Sequence, residues 1–381
     1  MELNRLMVEQ LLVDGHPAAA HAVATATLTP ISSAHGGSPR LAAMVRSAED
    51  ALDRSVRLSL EAVQTAEYDA EPFAELWALP HAGGVARFSA DGAVCAIGGD
   101  NGAVRLFERD SMLAGRRGAV HAKLSYSDHK ERVNDLDFHP HKPVLVTAAQ
   151  DSTMRFFDYS QAAAGVSRAV QQCMDTYPVN SVAFHPAGDH LLAGTQHAVV
   201  HLYDVNTFRC FLSSQPTQHH SAPIADARWA HDGSLFASCA ADTIKIWDGL
   251  SSQCARTIST AHRGAAVNAI CFGGGSKYLL SCGGDSTVRL WDVGSGRQVM
   301  QYDGARQTSR RTNVCFSHDE ALVISSDEDV GELVFWEART AKIFDRCSGH
   351  GLPVRWIAHS PVESAIVSCG EDAIARFWVP G

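Results

Sequence analysis

The chain has 381 residues, of which 45% are hydrophobic and 19% are charged, and its formal net charge is −10 at pH 7. This composition is typical of a globular protein and excludes a disordered or membrane-embedded chain. The negative balance argues against nonspecific binding of RNA or DNA, because such binding depends on Lys and Arg residues that neutralise phosphates.

The start of the chain and its cysteines bear on the compartment. Residues 1–5 lack a basic region followed by an apolar one, so no secretory signal is predicted and we expect an intracellular protein that contacts no membrane. All ten cysteines follow residue 94, and several occupy a repeated position in predicted strands. We interpret them as small buried thiols in a reducing compartment.

Residues 1–66 are predicted to form a small all-α domain. Apolar residues recur at helical spacing over 3–13, an alanine-rich helix follows Pro17, and a longer helix runs from Leu41 to Val63. So modest a core is marginal alone, and self-association in a symmetric interface would cover the apolar stripes. The alternative is that these helices pack on the flank of the next domain. The candidate dimer contacts are Leu3, Leu6, Met7, Leu11, Leu41, Val45 and Leu52.

A linker, 67–72, is predicted before a second domain, 73–381, that consists of repeats. Each repeat ends in an aromatic residue, and these residues follow one another at intervals of 42 to 50 residues. An acidic residue follows the aromatic in six of the seven units, and Val379 replaces it in the last. A period near ~40–45 residues with a Trp-Asp ending is typical of propeller blades. The seven aromatic residues are Phe107, Phe157, Tyr203, Trp247, Trp291, Trp336 and Trp378.

Each unit contains at least three predicted strands. The first runs into an aromatic residue and a turn, as in VNDLDFHP from 133, and is followed by a short apolar run and then a β-branched run such as TVRLWD. One blade cannot bury enough apolar surface alone, so the blades must stack around an axis. The sequence therefore predicts a mainly β fold, a seven-bladed β-propeller preceded by a small all-α domain.

Closure of the ring requires an additional strand. The last unit stops soon after its third strand, at Trp378, so its blade lacks an outer strand. The segment 73–80, FAELWALP, alternates as a strand does and is predicted to fill that place.

Sets of His, Ser, Asp and Trp recur in the same order in three units and could be mistaken for a hydrolase triad. A catalytic triad is built once, so repetition favours a structural role. Resemblance to WD-repeat proteins implies that each set forms a buried hydrogen-bonded chain that ties a blade's loop to its third strand. The sets are His220, Ser238, Asp242 and Trp247; His262, Ser281, Asp285 and Trp291; and His350, Ser368, Asp372 and Trp378.

No catalytic residue, metal ligand or cofactor-binding residue is predicted. Cys239, Cys282 and Cys369 hold one equivalent position on separate blades and are too far apart to share a zinc ion. The glycines 273–275 lack the Lys-Ser/Thr pair of a phosphate-binding loop. We find no polar residues that break the repeat and would converge in the central channel.

The densest basic patch precedes the sixth unit. A solvated loop is the default interpretation, and contact with a partner or with RNA is the alternative. The residues of this patch are Arg306, Arg310 and Arg311.

Several stretches resemble one family in particular, the WD-repeat subunits of the cleavage stimulation factor, which acts in messenger-RNA 3′-end formation. The stretches are FHPAGDHLLAGTQHAVVHLYDVNTFRCF from Phe184, HKERVNDLDFHP from His129, DSTMRFFDYS from Asp151, EDAIARFW near the end, and LLVDGHPAAAHAV near the start. The resemblance implies a nuclear, non-enzymatic subunit of the cleavage and polyadenylation machinery that homodimerises through its N-terminal helices. It also implies a propeller that binds the factor's helical-repeat scaffold subunit and other 3′-end processing proteins, with RNA contacted at most indirectly.

The main alternative is a substrate receptor of a cullin-type ubiquitin ligase. Such receptors resemble one another in a Trp-Asp-x-Arg ending, and here only Trp336-Glu337-Ala338-Arg339 comes close. The partners recovered with the propeller would separate the two hypotheses.

Overall fold

The structure is a computed structural model that describes residues 72–80, 83–113, 121–160, 168–211, 218–308 and 311–380. The chain divides into two units, Met1–Glu67 and Tyr68–Gly381, and the described residues all belong to the second. The predicted all-α domain, 1–66, lies outside them and stays a prediction. The same holds for its candidate dimer contacts Leu3, Leu6, Met7, Leu11, Leu41, Val45 and Leu52.

Within the described residues, seven antiparallel sheets of four strands each form the blades of a propeller. The prediction of a mainly β, seven-bladed propeller is confirmed. Blade 1 consists of β2(Gly84–Phe88), β3(Val94–Gly99), β4(Val104–Glu108) and β5(Leu124–Tyr126). Blade 2 consists of β6(Val133–Phe138), β7(Val144–Ala149), β8(Thr153–Asp158) and β9(Gln171–Met174). Blade 3 consists of β10(Val179–Phe184), β11(His190–Thr195), β12(Val200–Asp204) and β13(Cys210–Phe211). Blade 4 consists of β14(Asp226–Trp229), β15(Leu235–Ala240), β16(Thr243–Asp248) and β17(Cys254–Ser259).

The remaining blades repeat this order, and the last includes a strand from the start of the second unit. Blade 5 consists of β18(Val267–Phe272), β19(Tyr278–Gly283), β20(Thr287–Asp292) and β21(Gln298–Tyr302). Blade 6 consists of β22(Cys315–Phe316), β23(Leu322–Asp327), β24(Glu332–Glu337) and β25(Ile343–Cys347). Blade 7 consists of β26(Val354–His359), β27(Ile366–Gly370), β28(Ile374–Pro380) and β1(Phe73–Pro80). A short helix, α1(Arg109–Leu113), follows β4.

The second strand of each blade is its most buried part. In β7, β15 and β19 every residue after the first is buried. Neighbouring blades cover both faces of these strands, which explains their nearly continuous apolar sequences VLVTAA, LFASCA and YLLSCG.

The aromatic residues that end the third strands pack between blades. All seven are buried, with exposed fractions of 6% or less. Phe157 of blade 2 packs on Tyr126 of blade 1, with ring centroids 4.3 Å apart, and Trp336 of blade 6 lies 6.2 Å from Tyr302 of blade 5. The sequence period is therefore the period of interblade packing, in which each large aromatic side chain buries a large apolar area.

The ring closes in blade 7. There β1 pairs antiparallel with β28, from Phe73 opposite Pro380 to Pro80 opposite Ile374, as the outer strand of the blade. Trp77 stacks on Phe377 at 5.5 Å and donates its indole N–H to the carbonyl oxygen of Met112 at 2.9 Å. The segment predicted to close the ring thus lies on the last blade and also contacts α1 of the first.

Among the described residues, no helix has the length and apolarity that a bilayer span requires.

Candidate functional site

Two of the three predicted His-Ser-Asp-Trp sets form complete hydrogen-bonded chains. In blade 5, His262 Nδ1 lies 2.7 Å from Asp285 Oδ1 and Nε2 lies 2.8 Å from Ser281 Oγ, which also accepts the Trp291 indole N–H at 2.8 Å. In blade 7 the distances are 3.1 Å from His350 to Asp372, 2.7 Å from His350 to Ser368 and 2.8 Å from Trp378 to Ser368. Each imidazole is thereby held between a turn and a buried strand.

The set in blade 4 is incomplete, and its prediction was wrong for Asp242. His220 Nε2 lies 2.7 Å from Ser238 Oγ, which accepts the Trp247 indole N–H at 2.9 Å, but His220 Nδ1 has no partner among the described residues. Asp242 instead accepts the backbone N–H groups of His262 and Gly264, at 2.5 and 2.6 Å.

The physical reason is a shorter turn between the second and third strands. In blade 4 Ala240 pairs with Thr243, whereas in blade 5 Gly283 pairs with Thr287, so the blade 5 turn is one residue longer. Asp242 therefore points to the following loop. The interval from Asp to Trp, one residue shorter in blade 4, was the signal for this in the sequence.

A further set went unpredicted in blade 2. His129 Nε2 lies 2.7 Å from Thr147 Oγ1 and Nδ1 lies 3.1 Å from Asp151 Oδ2, with Phe157 in the tryptophan position. The interval of 18 residues from His129 to Thr147 equals that from His220 to Ser238, so the sequence did contain the signal.

In blades 3 and 6 other side chains occupy the loop position that a histidine has in blades 2, 4, 5 and 7. Asp175 binds His201 Nδ1 at 2.7 Å and the Tyr203 hydroxyl at 2.6 Å, while Gln307 Nε2 donates to Ser325 Oγ at 2.7 Å. These sets recur around the ring, and each joins a loop to the strands of its own blade. Their geometry indicates cohesion of the fold.

The predicted basic patch is divided in the structure. Arg306 is exposed and pairs with Asp329 at 2.6 Å. Arg311 is partly buried, and its Nη2 donates across the central channel to the carbonyl oxygens of Asn180 and Ala225, at 3.2 and 2.7 Å. The interpretation of a solvated loop is wrong for Arg311, because channel carbonyls of blades 3 and 4 bind it, and its contact with a partner or RNA stays a prediction. Arg310 lies outside the described residues.

Charged residues do converge in the central channel, contrary to the sequence-based expectation. Arg228 of β14 lies 2.8 Å from Asp135 and 3.0 Å from Asp226, and both carboxylates are buried. Burial by itself would lower the pKa of Arg228, but Asp135 and Asp226 outweigh it and raise that pKa. The carboxylates also accept backbone N–H groups of the next blades, from Val182 and Ile270, which offsets the cost of burying the ions. This network joins the inner strands across the channel.

The channel widens into a cavity of about 470 Å³ at the end where the inner strands finish, here called the mouth cavity. The aromatic residue that ends the first strand of each unit lines it, except in blade 7, where a histidine holds that position. Prolines and histidines of the following turns form the rim. The seven strand-end residues are Phe88, Phe138, Phe184, Trp229, Phe272, Phe316 and His359.

Three of the residues that line the mouth cavity contain a buried polar atom without a partner. Trp229 Nε1, His359 Nε2 and Arg87 Nε have no hydrogen-bond partner among the described residues, although all three residues line the cavity. Burial lowers the pKa of His359 to about 4, and its Nδ1 lies 2.6 Å from the Ser360 carbonyl oxygen, so Nε2 is a bare acceptor at neutral pH. Arg87 Nε lies 3.6 Å from Asp137 Oδ1, beyond hydrogen-bond distance.

These atoms suit a bound polypeptide. An unmade buried hydrogen bond costs about 1–3 kcal/mol, so native structures rarely leave three in one cavity unless water or a ligand satisfies them. The set contains both donors and an acceptor, and a peptide backbone supplies the complementary acceptor and donors. The surrounding aromatic rings provide apolar contact, as in protein-binding sites.

The thiols of this region are poorly suited to nucleophilic chemistry. Cys271 and Cys315 line the cavity, and burial raises the pKa of each thiol. Such thiols are protonated at neutral pH and are poor nucleophiles. Among the described residues, no group of three or more His, Cys, Asp or Glu side chains could hold a metal ion.

The repeated blades and their buried networks define a WD-repeat β-propeller. The family model described as WD domain, G-beta repeat matches residues 341–379, and that of the Nucleolar protein 10-like, N-terminal domain matches residues 111–276.

Similarity to characterised proteins is more specific. The chain is 38% identical to cleavage stimulation factor subunit 50 of Arabidopsis thaliana over 299 residues, which cover 77% of this chain and 69% of that protein. The chain belongs to this family, the WD-repeat subunits of the cleavage stimulation factor. More distant relatives include pre-mRNA-processing factor 19 of Oryza sativa subsp. japonica, 26% identical over 55% of this chain and 39% of that protein. Actin-interacting protein 1 of Drosophila melanogaster is 24% identical over 78% of this chain and 47% of that protein.

Proposed function

We propose that this protein is a non-catalytic, nuclear scaffold subunit of the cleavage stimulation factor that acts in pre-mRNA 3′-end cleavage and polyadenylation. Its propeller binds the helical-repeat scaffold subunit of that factor and other 3′-end processing proteins. Its N-terminal helices hold two copies together. Membership of the subunit 50 family supports the process, and the geometry of the mouth cavity supports the mode of binding.

The observation that carries protein binding is the set of unpartnered nitrogens in the mouth cavity. Trp229 Nε1, His359 Nε2 and Arg87 Nε are buried without partners in residues that line the cavity, among aromatic rings. A segment of a partner that enters the cavity would satisfy these atoms and bury the rings at once. Interface energy concentrates in such enclosed, aromatic pockets.

The binding role can be separated from the stability of the fold by making the same Trp-to-Phe change at a cavity residue and at a residue away from the cavity. Trp229→Phe removes the indole N–H that lacks a partner and keeps an aromatic ring in place. The matched control is Trp247→Phe, which removes an indole N–H that is already satisfied by Ser238 Oγ at 2.9 Å, away from the cavity. The full chain and both variants would be tagged and purified from nuclear extract, and their stoichiometric partners quantified by mass spectrometry.

We expect 3′-end processing proteins, including a helical-repeat subunit, to copurify with the wild-type chain. Trp229→Phe should weaken their binding about tenfold, the effect of losing one buried hydrogen bond of roughly 1.4 kcal/mol, and thereby lower their recovery. Trp247→Phe should destabilise the propeller and leave recovery unchanged at a temperature where it is folded. Recovery of a ubiquitin-ligase adaptor in place of 3′-end processing proteins would contradict the proposal.

A further inference from the structure

Three arginines from three blades meet at the end of the channel opposite the mouth cavity, where the inner strands begin. Arg132 directly precedes β6, Arg311 precedes the inner strand of blade 6, and Arg355 is the second residue of β26. A cavity of about 20 Å³ lies between their side chains. This arginine cluster is defined by Arg132, Arg311 and Arg355.

The cluster carries excess positive charge. Burial lowers the pKa of Arg132, and repulsion from Arg355 and Arg311 lowers it further, whereas Asp100 and Glu371 act in the opposite direction. Asp100 lies 3.5 Å from Arg355 and is half exposed. Among the described residues, neither Arg132 nor Arg311 has a carboxylate oxygen within 4.0 Å. Three arginines thus lie near two carboxylates, Asp100 and Glu371. Arg355 forms an ion pair with Asp100, whereas Arg132 and Arg311 form none among the described residues.

The hydrogen bonds of these guanidinium groups leave donors available. Arg132 Nε donates to the Asn134 side-chain carbonyl at 2.9 Å, and Arg311 donates through Nη2 to two backbone carbonyls. Arg311 Nε is buried and has no partner among the described residues. Each guanidinium group carries five N–H donors in a planar fork that suits carboxylate and phosphate oxygens. The cavity between them has room for one oxygen-sized group.

We propose that the arginine cluster is a binding site for an anionic side chain of a partner polypeptide, either a carboxylate or a phosphorylated residue. This site is at the opposite end of the channel from the mouth cavity and does not depend on it. One oxygen of the anion enters between the three arginines, and the other oxygens accept their outward N–H groups.

A single anionic group fits this site better than a nucleic acid does. RNA binding draws its affinity from many phosphates neutralised along an extended basic surface. Here the arginines form one compact point on a chain with a net charge of −10, and Asp100 and Glu371 lie near it. A polyanion would meet these carboxylates, whereas one side chain inserted on the channel axis would not.

The test measures binding of labelled probes to the full chain by fluorescence anisotropy at low salt. The probes are Gly-Ser peptides that carry three central Asp, three central phosphoserine or three central Asn residues, and an oligouridine of ten nucleotides. The variants are Arg132→Gln and Arg355→Gln, and the matched control is Arg209→Gln, which removes the same charge from an exposed position of blade 3. Thermal melting of each variant establishes that it is folded.

We expect the Asp or the phosphoserine peptide, or both, to bind, and the Asn peptide not to bind. Arg132→Gln and Arg355→Gln should each weaken that binding about tenfold, as the loss of one charge-assisted hydrogen bond does, and Arg209→Gln should leave it unchanged. The probe that binds identifies the source of the anion. Equal binding of Asp and Asn peptides, equal weakening by Arg209→Gln, or oligouridine that binds more tightly than every peptide would overturn the proposal.

Discussion

His220 lies buried in blade 4 with one imidazole nitrogen satisfied and the other without a partner among the described residues. Burial, reinforced by the charge of Lys245, lowers its pKa to about 3. The unfolded chain has an imidazole pKa near ~6.5 and binds the proton first as the pH falls. The contribution of His220 to stability is therefore complete above pH 6.5 and is lost progressively as the pH falls below it.

Replacement of His220 by Gln should remove this sensitivity to acid. The protein already uses glutamine at the equivalent place in blade 6, where Gln307 Nε2 donates to Ser325 Oγ at 2.7 Å. Between pH 7.5 and pH 5.5 the free energy of unfolding of the wild-type chain should fall by about 1.4 kcal/mol more than that of His220→Gln. Urea unfolding at the two pH values measures the difference. His121→Gln, at an exposed histidine, is the control; equal loss of stability in all three proteins would refute this role.

At the scale of elements, the repeat made the strands predictable because one period determines both sequence and packing. The aromatic ends of the third strands and the buried second strands recur at the same interval, so the blade count and the place of β1 could be inferred. The Ser-to-Asp interval is four residues in blades 4 and 5 alike, so it did not reveal the shorter turn of blade 4. The Asp-to-Trp interval, one residue shorter in blade 4, was the signal that differed. The pairing of Ala240 with Thr243 decides where Asp242 points.

The candidate site was much less predictable than the fold. Trp229 and His359 belong to different blades, and Arg228 meets Asp135 only because the inner strands surround one axis. A repeated pattern identifies equivalent positions in successive units and does not show which different positions face one another across the channel. The strand-end aromatic residues were recognised as a repeated feature, but the cavity that they line was not.

The closing strand gives the prediction at this scale. Trp77 is 9% exposed, stacks on Phe377 and donates to Met112, so Trp77→Ala should lower the free energy of unfolding by roughly 3–5 kcal/mol. Ala78→Ser on the same strand, at an exposed position opposite Arg376, should change it by less than about 0.5 kcal/mol. Denaturant unfolding monitored by circular dichroism gives both values. If β1 did not close the ring, Trp77→Ala would be as harmless as its control.

At the scale of the whole molecule, the propeller offers two chemically different ends of one channel. One end presents apolar rings and unpartnered nitrogens, and the other presents three arginines. The charged network of Arg228, Asp135 and Asp226 lies between them and holds the inner strands in register across the axis. Under the two proposals, partner segments at the two ends need not compete, and one propeller would hold two of them.

Self-association would double these sites, and it gives the prediction for the molecule as a whole. The candidate contacts lie on the apolar face of the predicted first and third helices, so Leu6→Asp should place a charge in the interface and separate the copies. We expect the wild-type chain at micromolar concentration to sediment at equilibrium with twice the monomer mass, and Leu6→Asp with the monomer mass. Val330→Asp, which adds the same charge at an exposed apolar residue of the propeller, should remain dimeric. A monomeric wild-type chain would exclude the dimer and favour packing of the helices within one chain, because their apolar face then needs no second copy.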